Sequence, residues 1–202
     1  MTVGKYARLA ATAIIVLILS GACSSKSFLV VQYQLPQPAD TLAGKEVSLA
    51  ITDLRDNRTV LSQSAKKSFR KFDGTYSLVV LKSDGSGNLL GIYGIDALLA
   101  EVFKQRLNNH GLKVSEPTAQ TEYKLEVKLK KFKLDLAGGK WITSVSYQAI
   151  LLQNGRPLAM ESVNGSAERL KIMGIGDAEK LLSELLSDTV NKLDLVKLFK
   201  KM

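Results

Sequence analysis

The sequence predicts an α+β fold: a mainly antiparallel sheet with two long helices packed on one face. Three observations carry this. Period-two alternation of apolar residues fills 45–52 and most of 121–170, period-3.6 patterning is confined to 95–109 and 177–193, and the elements come in blocks (strands, helix, three-strand meander, helix). Blocked rather than regularly alternating strands and helices separate an α+β arrangement from a doubly wound parallel sheet.

The first 22 residues are of another kind. Lys5 and Arg8 form a basic start, Leu9 to Leu19 is an uncharged apolar run, and Ser20-Gly21-Ala22 leads into Cys23, the sole cysteine of 202 residues. Basic, apolar, small is the order of a secretory signal. A membrane-spanning helix needs about 20 apolar residues, which this run does not reach. An ordinary secretory signal would leave a lone cysteine with no disulfide partner in the chain. Its position at the cleavage point is most simply explained by lipid attachment to the thiol. The expected organisation is therefore a cleaved lipoprotein signal over 1–22, a lipidated Cys23 with a tether and extended lead-in over 23–44, and one periplasmic domain over 45–202.

Cleavage would leave 180 residues, enough for one domain with a substantial core. The mature part carries 26 Lys and Arg against 19 Asp and Glu, a formal charge of +7. That balance favours anionic partners such as lipid headgroups, lipopolysaccharide or acidic glycan. Nucleic acid is not expected, because acids dilute the basic residues and no aromatic-basic pattern of a base-stacking module is present. With one cysteine no internal disulfide can form, so the hydrophobic core must hold the fold.

Taken in order, Ser27 to Leu35 is β-rich and is broken at Pro36, which suits an edge strand or an extended segment. Lys45 to Thr52 alternates, with Val47, Leu49 and Ile51 on one side, and runs into the polar turn Asp53 to Arg58. Thr59 to Leu61 can pair back, the basic stretch Lys66 to Lys71 reads as surface, Tyr76 to Leu81 as a strand, and Ser83 to Asn88 as a flexible loop. Ile95 to Asn109 has helical spacing, and Gly111 stands where a left-handed cap is wanted. Leu112 to Val114 starts another strand.

Tyr123 to Leu136 is the most informative segment. Its apolar residues are odd-numbered up to Leu129 and even-numbered from Phe132, so the register shifts at Lys130-Lys131. A one-residue shift would turn every later side chain outward unless a β-bulge absorbed it. Trp141 to Leu151 alternates with Trp141, Thr143, Val145, Tyr147, Ala149 and Leu151 inward, and Asn154-Gly155 marks a type I′ hairpin to a return strand over Leu158 to Ala167. That strand also slips in register, from Leu158 and Met160 to Val163 and Ala167. Asp177 is the expected N-cap of the last long helix, whose stripe runs from Leu181 to Leu193, and Asp194 caps a final turn.

The sequence offers little for catalysis. His110, the single histidine, is expected as an exposed helix-end residue, and without Cys or His partners it makes no zinc site. No G-x-S-x-G elbow is present, and Gly174-x-Gly176 lacks the rest of a dinucleotide or P-loop fingerprint. No metal, cofactor or catalytic residue is assigned. Asp53 and Arg55 form the densest polar cluster, either a partner-binding turn or a turn held by its own ion pairs.

The order of soft motifs resembles the YajG-type family of bacterial lipoproteins over nearly the whole chain. It rests on Gln34-Leu35-Pro36, the strand ending Asp53-x-Arg55, the helix ending His110-Gly111-Leu112, the long strand Lys124 to Leu136, Gly165-Ser166-Ala167, and Ser187 to Leu193. The resemblance implies an outer-membrane lipoprotein facing the periplasm, lipid-anchored through Cys23 with palmitate among its acyl groups, and of no established activity. Ser24, where inner-membrane retention uses Asp, fits that location. Three functions are then open: a non-enzymatic module binding an envelope protein or the cell wall, an auxiliary lipoprotein of a lipid or lipopolysaccharide transport system, or a periplasmic hydrolase, which no residue set supports. No motif in the sequence specifies an oligomeric state.

Overall fold

The computed structural model describes residues 27–200, so the expected signal, Cys23 and Lys201 lie outside the described residues. Within that range eight strands form two mixed sheets and the class is α+β. One sheet has the order β1-β3-β4, built from β1 (Leu29–Gln34), β3 (Tyr76–Leu81) and β4 (Gly87–Tyr93). The other has the order β5-β2-β6-β7-β8, with β2 (Glu46–Asp53), β5 (Lys113–Ser115), β6 (Tyr123–Ala137), β7 (Lys140–Gln153) and β8 (Arg156–Leu170). The helices are α1 (Gln63–Ser68), α2 (Ile95–Asn108), α3 (Ile175–Lys192) and α4 (Leu195–Leu198).

The long pairings β6–β7 and β7–β8 are antiparallel, as expected of the meander. The shorter ones qualify the expectation of a mainly antiparallel sheet, because β2 runs parallel to both β5 and β6 and β1 runs parallel to β3. Alternation reports which face is buried and not which direction the neighbour runs, so this difference was invisible in the pattern. Both long helices lie on one face of the five-stranded sheet. Tyr147 of β7 meets both: its ring packs edge-on against Phe103 of α2 at 5.2 Å, and its hydroxyl donates to the Thr189 carbonyl of α3 at 2.9 Å.

The bulge in β6 falls where the sequence demands it. Leu129 pairs with Tyr147 and Lys131 with Ser146, leaving Lys130 as the extra residue. Leu125, Val127, Leu129, Phe132 and Leu134 are consequently all buried. The hairpin after β7 turns through Asn154 (φ 47°) and Gly155 (φ 80°), both left-handed. In β8 the extra residue is Leu158, since Leu151 pairs with Ala159 and Leu152 with Pro157. Val163 then faces the core, and Met160, expected on the apolar side, is exposed.

Helix α3 comes unusually near β8, and Gly165 is why. A Cβ at that position would stand 2.5 Å from Thr189 Cγ2 and 2.9 Å from Leu185 Cδ1. The N-cap of α3 is Gly174, not Asp177 as expected. Asp177 sits inside the first turn, and its carboxylate accepts from the Ile172 and Met173 N–H groups that lead into the helix. Asp194 does cap α4, accepting from the Lys197 N–H at 2.9 Å.

Strand β1 belongs to the core, although the lead-in over 23–44 was expected to precede the domain. Leu29, Val31 and Tyr33 are fully buried. One edge of β1 is bonded to β3; along the other, α3 stands in for a neighbouring strand. The N–H groups of Val30, Gln32 and Gln34 donate to Glu179 Oε1, Ser183 Oγ and Ser187 Oγ, each at 2.9 Å, and Asn191 Nδ2 donates to the Gln34 carbonyl at 2.9 Å. The helix residues recur every four positions and the strand N–H groups every two. A helix advances about 6 Å in four residues and a strand about 6.6 Å in two, so the two rows stay in step.

A strand not expected at all is β4. The turn before it is built by Asp84, which accepts from the Ser86 N–H and hydroxyl, and by Gly85 at φ 81°. Its outward Leu89 and Ile92 are exposed, so the segment lacks the burial alternation that marks a strand in sequence.

Candidate functional site

The Asp53–Arg55 cluster leads to an aromatic-walled pocket. As β2 ends, Arg55 folds back on Asp53: Nε donates to Oδ1 and Nη2 to Oδ2, both at 2.8 Å. The side chains are 3% and 5% exposed, and Arg55 Nη1 also donates to the Phe132 carbonyl just past the β6 bulge. These bonds hold the Asp53 carboxyl below the usual carboxylate range, despite burial, which acts the other way. The pair locks the end of β2 to β6, and Arg55 also lines the pocket next to it. Bidentate geometry and burial set it apart from weak exposed pairs.

Beside it lies a pocket of about 400 Å³, lined by Val60, Leu61, Phe69, Phe72, Tyr76 and Ile95, with Arg58, Lys66 and Arg70 also contributing. Phe72 packs edge-on against Tyr76 at 5.6 Å, and Tyr76 against Phe132 at 5.9 Å. The Tyr76 hydroxyl is buried and has no hydrogen-bond partner among the described residues. Burial raises its pKa, so it stays a neutral donor. Asp73 also lines the pocket, but its Oδ1 already accepts from the Thr75 N–H and hydroxyl. The size suits a small ligand or a side chain of a partner.

Sequence reasoning reached one residue of this pocket, Arg55, and missed the rest because its wall comes from three separated segments. The basic run Lys66 to Lys71, expected as surface, is partly helix α1 and its exit. Ser62 caps α1 by accepting from the Ala65 N–H at 3.1 Å, and Ala65 and Phe69 turn inward while the cations stay out. Thr59 to Leu61, expected to pair back, makes one parallel bridge, Leu61 to Leu134.

His110 is not the exposed residue expected. It is 7% exposed, lies under the 3-10 turn Asp40–Leu42, and its Nδ1 is 3.2 Å from Thr41 Oγ1. Desolvation pushes its pKa down, the Arg106 guanidinium adds to this, and Asp194 opposes it. Gly111 beside it is left-handed at φ 82°, as its place after α2 requires, and a Cβ there would stand 3.0 Å from Ala43 Cα. Gly174 likewise serves the fold: its carbonyl accepts from Trp141 Nε1 at 2.9 Å. Among the described residues no group of three or more His, Cys, Asp or Glu is placed to hold a metal ion, and no helix is long and apolar enough to cross a membrane.

No family model and no curated protein matches the chain. Among solved structures, the chain is similar to protein XCC0632 of Xanthomonas campestris, described by the family name DUF330, with a TM-score of 0.52 and 13% identity over 84% of this chain and 92% of that one. Weaker likenesses are to a minor lipoprotein of Acinetobacter baumannii (TM-score 0.37, 9% identity, 73% of this chain and 85% of that one) and to lipoprotein GNA1162 of Neisseria meningitidis (TM-score 0.31, 18% identity, 73% and 96%). The likeness to the Xanthomonas protein is one of fold.

Proposed function

We propose that the chain is a lipoprotein of the YajG type, anchored through Cys23 to the outer membrane and facing the periplasm, and that its folded part is a non-enzymatic interaction module. The anchor is supported by the order of residues 1–23. The module is supported by one observation above the rest: the pocket beside Asp53–Arg55 has an aromatic wall and the cations Arg58, Lys66 and Arg70, and it holds no nucleophile paired with a base. Such a lining retains an anionic group by charge and an apolar group by contact. The partner is an envelope protein or the cell wall.

In vivo crosslinking of the lipidated protein from a photoreactive residue at Arg70 tests this. A defined adduct with an envelope protein or peptidoglycan is expected. Its absence, together with no binding to isolated cell wall, overturns the reading. The same pocket favours a second reading, an auxiliary lipoprotein of a lipid or lipopolysaccharide transport system, because apolar walls with cations suit an acidic amphiphile. Mass spectrometry of the purified protein decides: co-purified acidic lipid supports it, and lipid-free protein that also fails to take up added lipid rejects it.

A further inference from the structure

Exposed apolar side chains cluster at one end of the molecule. The connection from β8 into α3 carries Leu170, Ile172, Met173 and Ile175, with Ile172 79% and Met173 84% exposed. Its lysine, Lys171, donates to Ser68 Oγ at 3.1 Å and lies over the Trp141 ring at 5.4 Å, which joins the apolar connection to α1. Between them is a groove of about 490 Å³ lined by Phe28, Lys67, Phe69, Arg70, Lys71 and Ile175, among others. The basic rim comprises Lys66, Lys67, Arg70, Lys71 and Lys171, all exposed, and none of them forms an ion pair among the described residues. The nearby carboxylates already accept hydrogen bonds: Asp73 from Thr75, Asp177 from Ile172 and Met173, Glu179 from Val30 and Glu168 from Lys140.

The described residues also begin here. Phe28 lines the groove, and the Ser27 carbonyl accepts from the Asp73 N–H at 2.9 Å. Four residues, Ser24 to Ser27, separate Cys23 from Phe28, and the five chain steps reach at most about 18 Å. A bilayer holding a lipidated Cys23 is therefore kept close to this end of the domain.

We propose that this end is the membrane-facing surface. Ile172, Met173 and Ile175 enter the interface of an anionic bilayer, and the five surrounding cations meet its headgroups. The proposal rests on the lipoprotein reading and adds an orientation to it: β8 rises away from the bilayer, with its hairpin at Asn154-Gly155 as the far end. Apolar residues ringed by lysine and arginine bind such interfaces by insertion and charge together, and each cation close to an anionic surface adds roughly fivefold to the affinity.

The test uses the full chain, processed and acylated. Its one native cysteine is then blocked by lipid, so Met173→Cys and, as control, Arg156→Cys can each carry an environment-sensitive fluorophore. Residue 156 is exposed and lies at the other end of β8, up to about 45 Å from residue 170 along the strand. In phosphatidylethanolamine–phosphatidylglycerol vesicles with brominated acyl chains, the label at 173 should be quenched at least about threefold more than the label at 156. Replacing phosphatidylglycerol by phosphatidylcholine, or introducing Lys67→Glu with Lys71→Glu, should reduce that difference. Equal quenching at both sites overturns the proposal. So does a label at 173 that is shielded but not quenched by brominated lipid, because a second copy or another protein would then cover the face. The intact mass is read on the same sample: a mass without acyl groups overturns the anchor itself, whatever the labels report.

Discussion

The backbone N–H of Gln32 donates to Ser183 Oγ at 2.9 Å, across 151 residues of chain. Ser183 in turn donates to the Glu179 carbonyl one helical turn back at 2.7 Å, so its hydroxyl is fixed as an acceptor for the strand. With Glu179, Ser187 and Asn191 it turns one stripe of α3 into a partner for the free edge of β1. An unpaired strand edge is a template for association with another chain, and this stripe occupies it.

Ser183→Ala should therefore cost about 1 kcal/mol, the net worth of a hydrogen bond in partly buried surroundings, and Ser183→Ala with Ser187→Ala about twice that. Urea unfolding reads the loss. Hydrogen exchange at Gln32 and Gln34 should accelerate in the double variant while the Tyr147 amide, in the middle of the larger sheet, keeps its relative protection. Unchanged exchange at both positions would show that the hydroxyls do not guard the edge.

Removing one member of the Asp53–Arg55 pair leaves the other buried without its partner. Arg55→Ala or Asp53→Asn should destabilise by about 3 kcal/mol, the lower end for breaking a buried pair. The pH dependence has a definite sign. Hydrogen bonds from Arg55 depress the folded pKa of Asp53, so its contribution is present above the unfolded value of about 3.9 and is lost as pH falls through the folded value. Acid unfolding of the wild type should thus be steeper below pH 4 than that of Asp53→Asn. Parallel curves would assign the acid sensitivity to other carboxylates.

What could be read in the sequence depended on whether a residue's neighbours lie on its own strand or elsewhere. The β6 bulge was readable because Leu129 and Phe132 carry the shift within one segment, and the hairpin because Asn154-Gly155 is a local turn. The stripe on α3 was not readable. Glu179, Ser183, Ser187 and Asn191 look like the solvent side of an amphipathic helix, and their task is set by a strand about 150 residues earlier. Strand β4 was hidden by Gly87 and Gly91 and by the exposure of Leu89 and Ile92. His110 was misjudged because helix-end position says nothing of the 3-10 turn that covers it. The pocket needed α1, β3 and the Thr59 to Leu61 segment together, and alternation within any one of them does not reveal a shared cavity.

His110 gives a second pH effect, in a different window. Burial depresses its folded pKa below the ordinary value of 6.5. As pH falls through about 6.5 the unfolded chain takes up a proton before the folded one does, so stability drops until the folded pKa is reached. Thermal melts between pH 7 and pH 5 should show a decline that His110→Gln removes, since the amide can still meet Thr41 and does not titrate in that range. A decline of the same size in His110→Gln would assign it elsewhere.

The close approach of α3 to β8 leaves no room for a side chain at Gly165. Its Cβ would meet the Thr189 methyl at 2.5 Å and Leu185 at 2.9 Å. Thr189 cannot simply rotate away, because its hydroxyl donates to the Leu185 and Leu186 carbonyls and its own carbonyl accepts from Tyr147. Gly165→Ala should therefore cost about 1–3 kcal/mol, the range for an overpacked core. Thr189→Ser removes the methyl and keeps the hydroxyl, so the double variant Gly165→Ala with Thr189→Ser should regain part of that loss in urea unfolding. No regain would locate the strain in the Leu185 contact or in the backbone of β8.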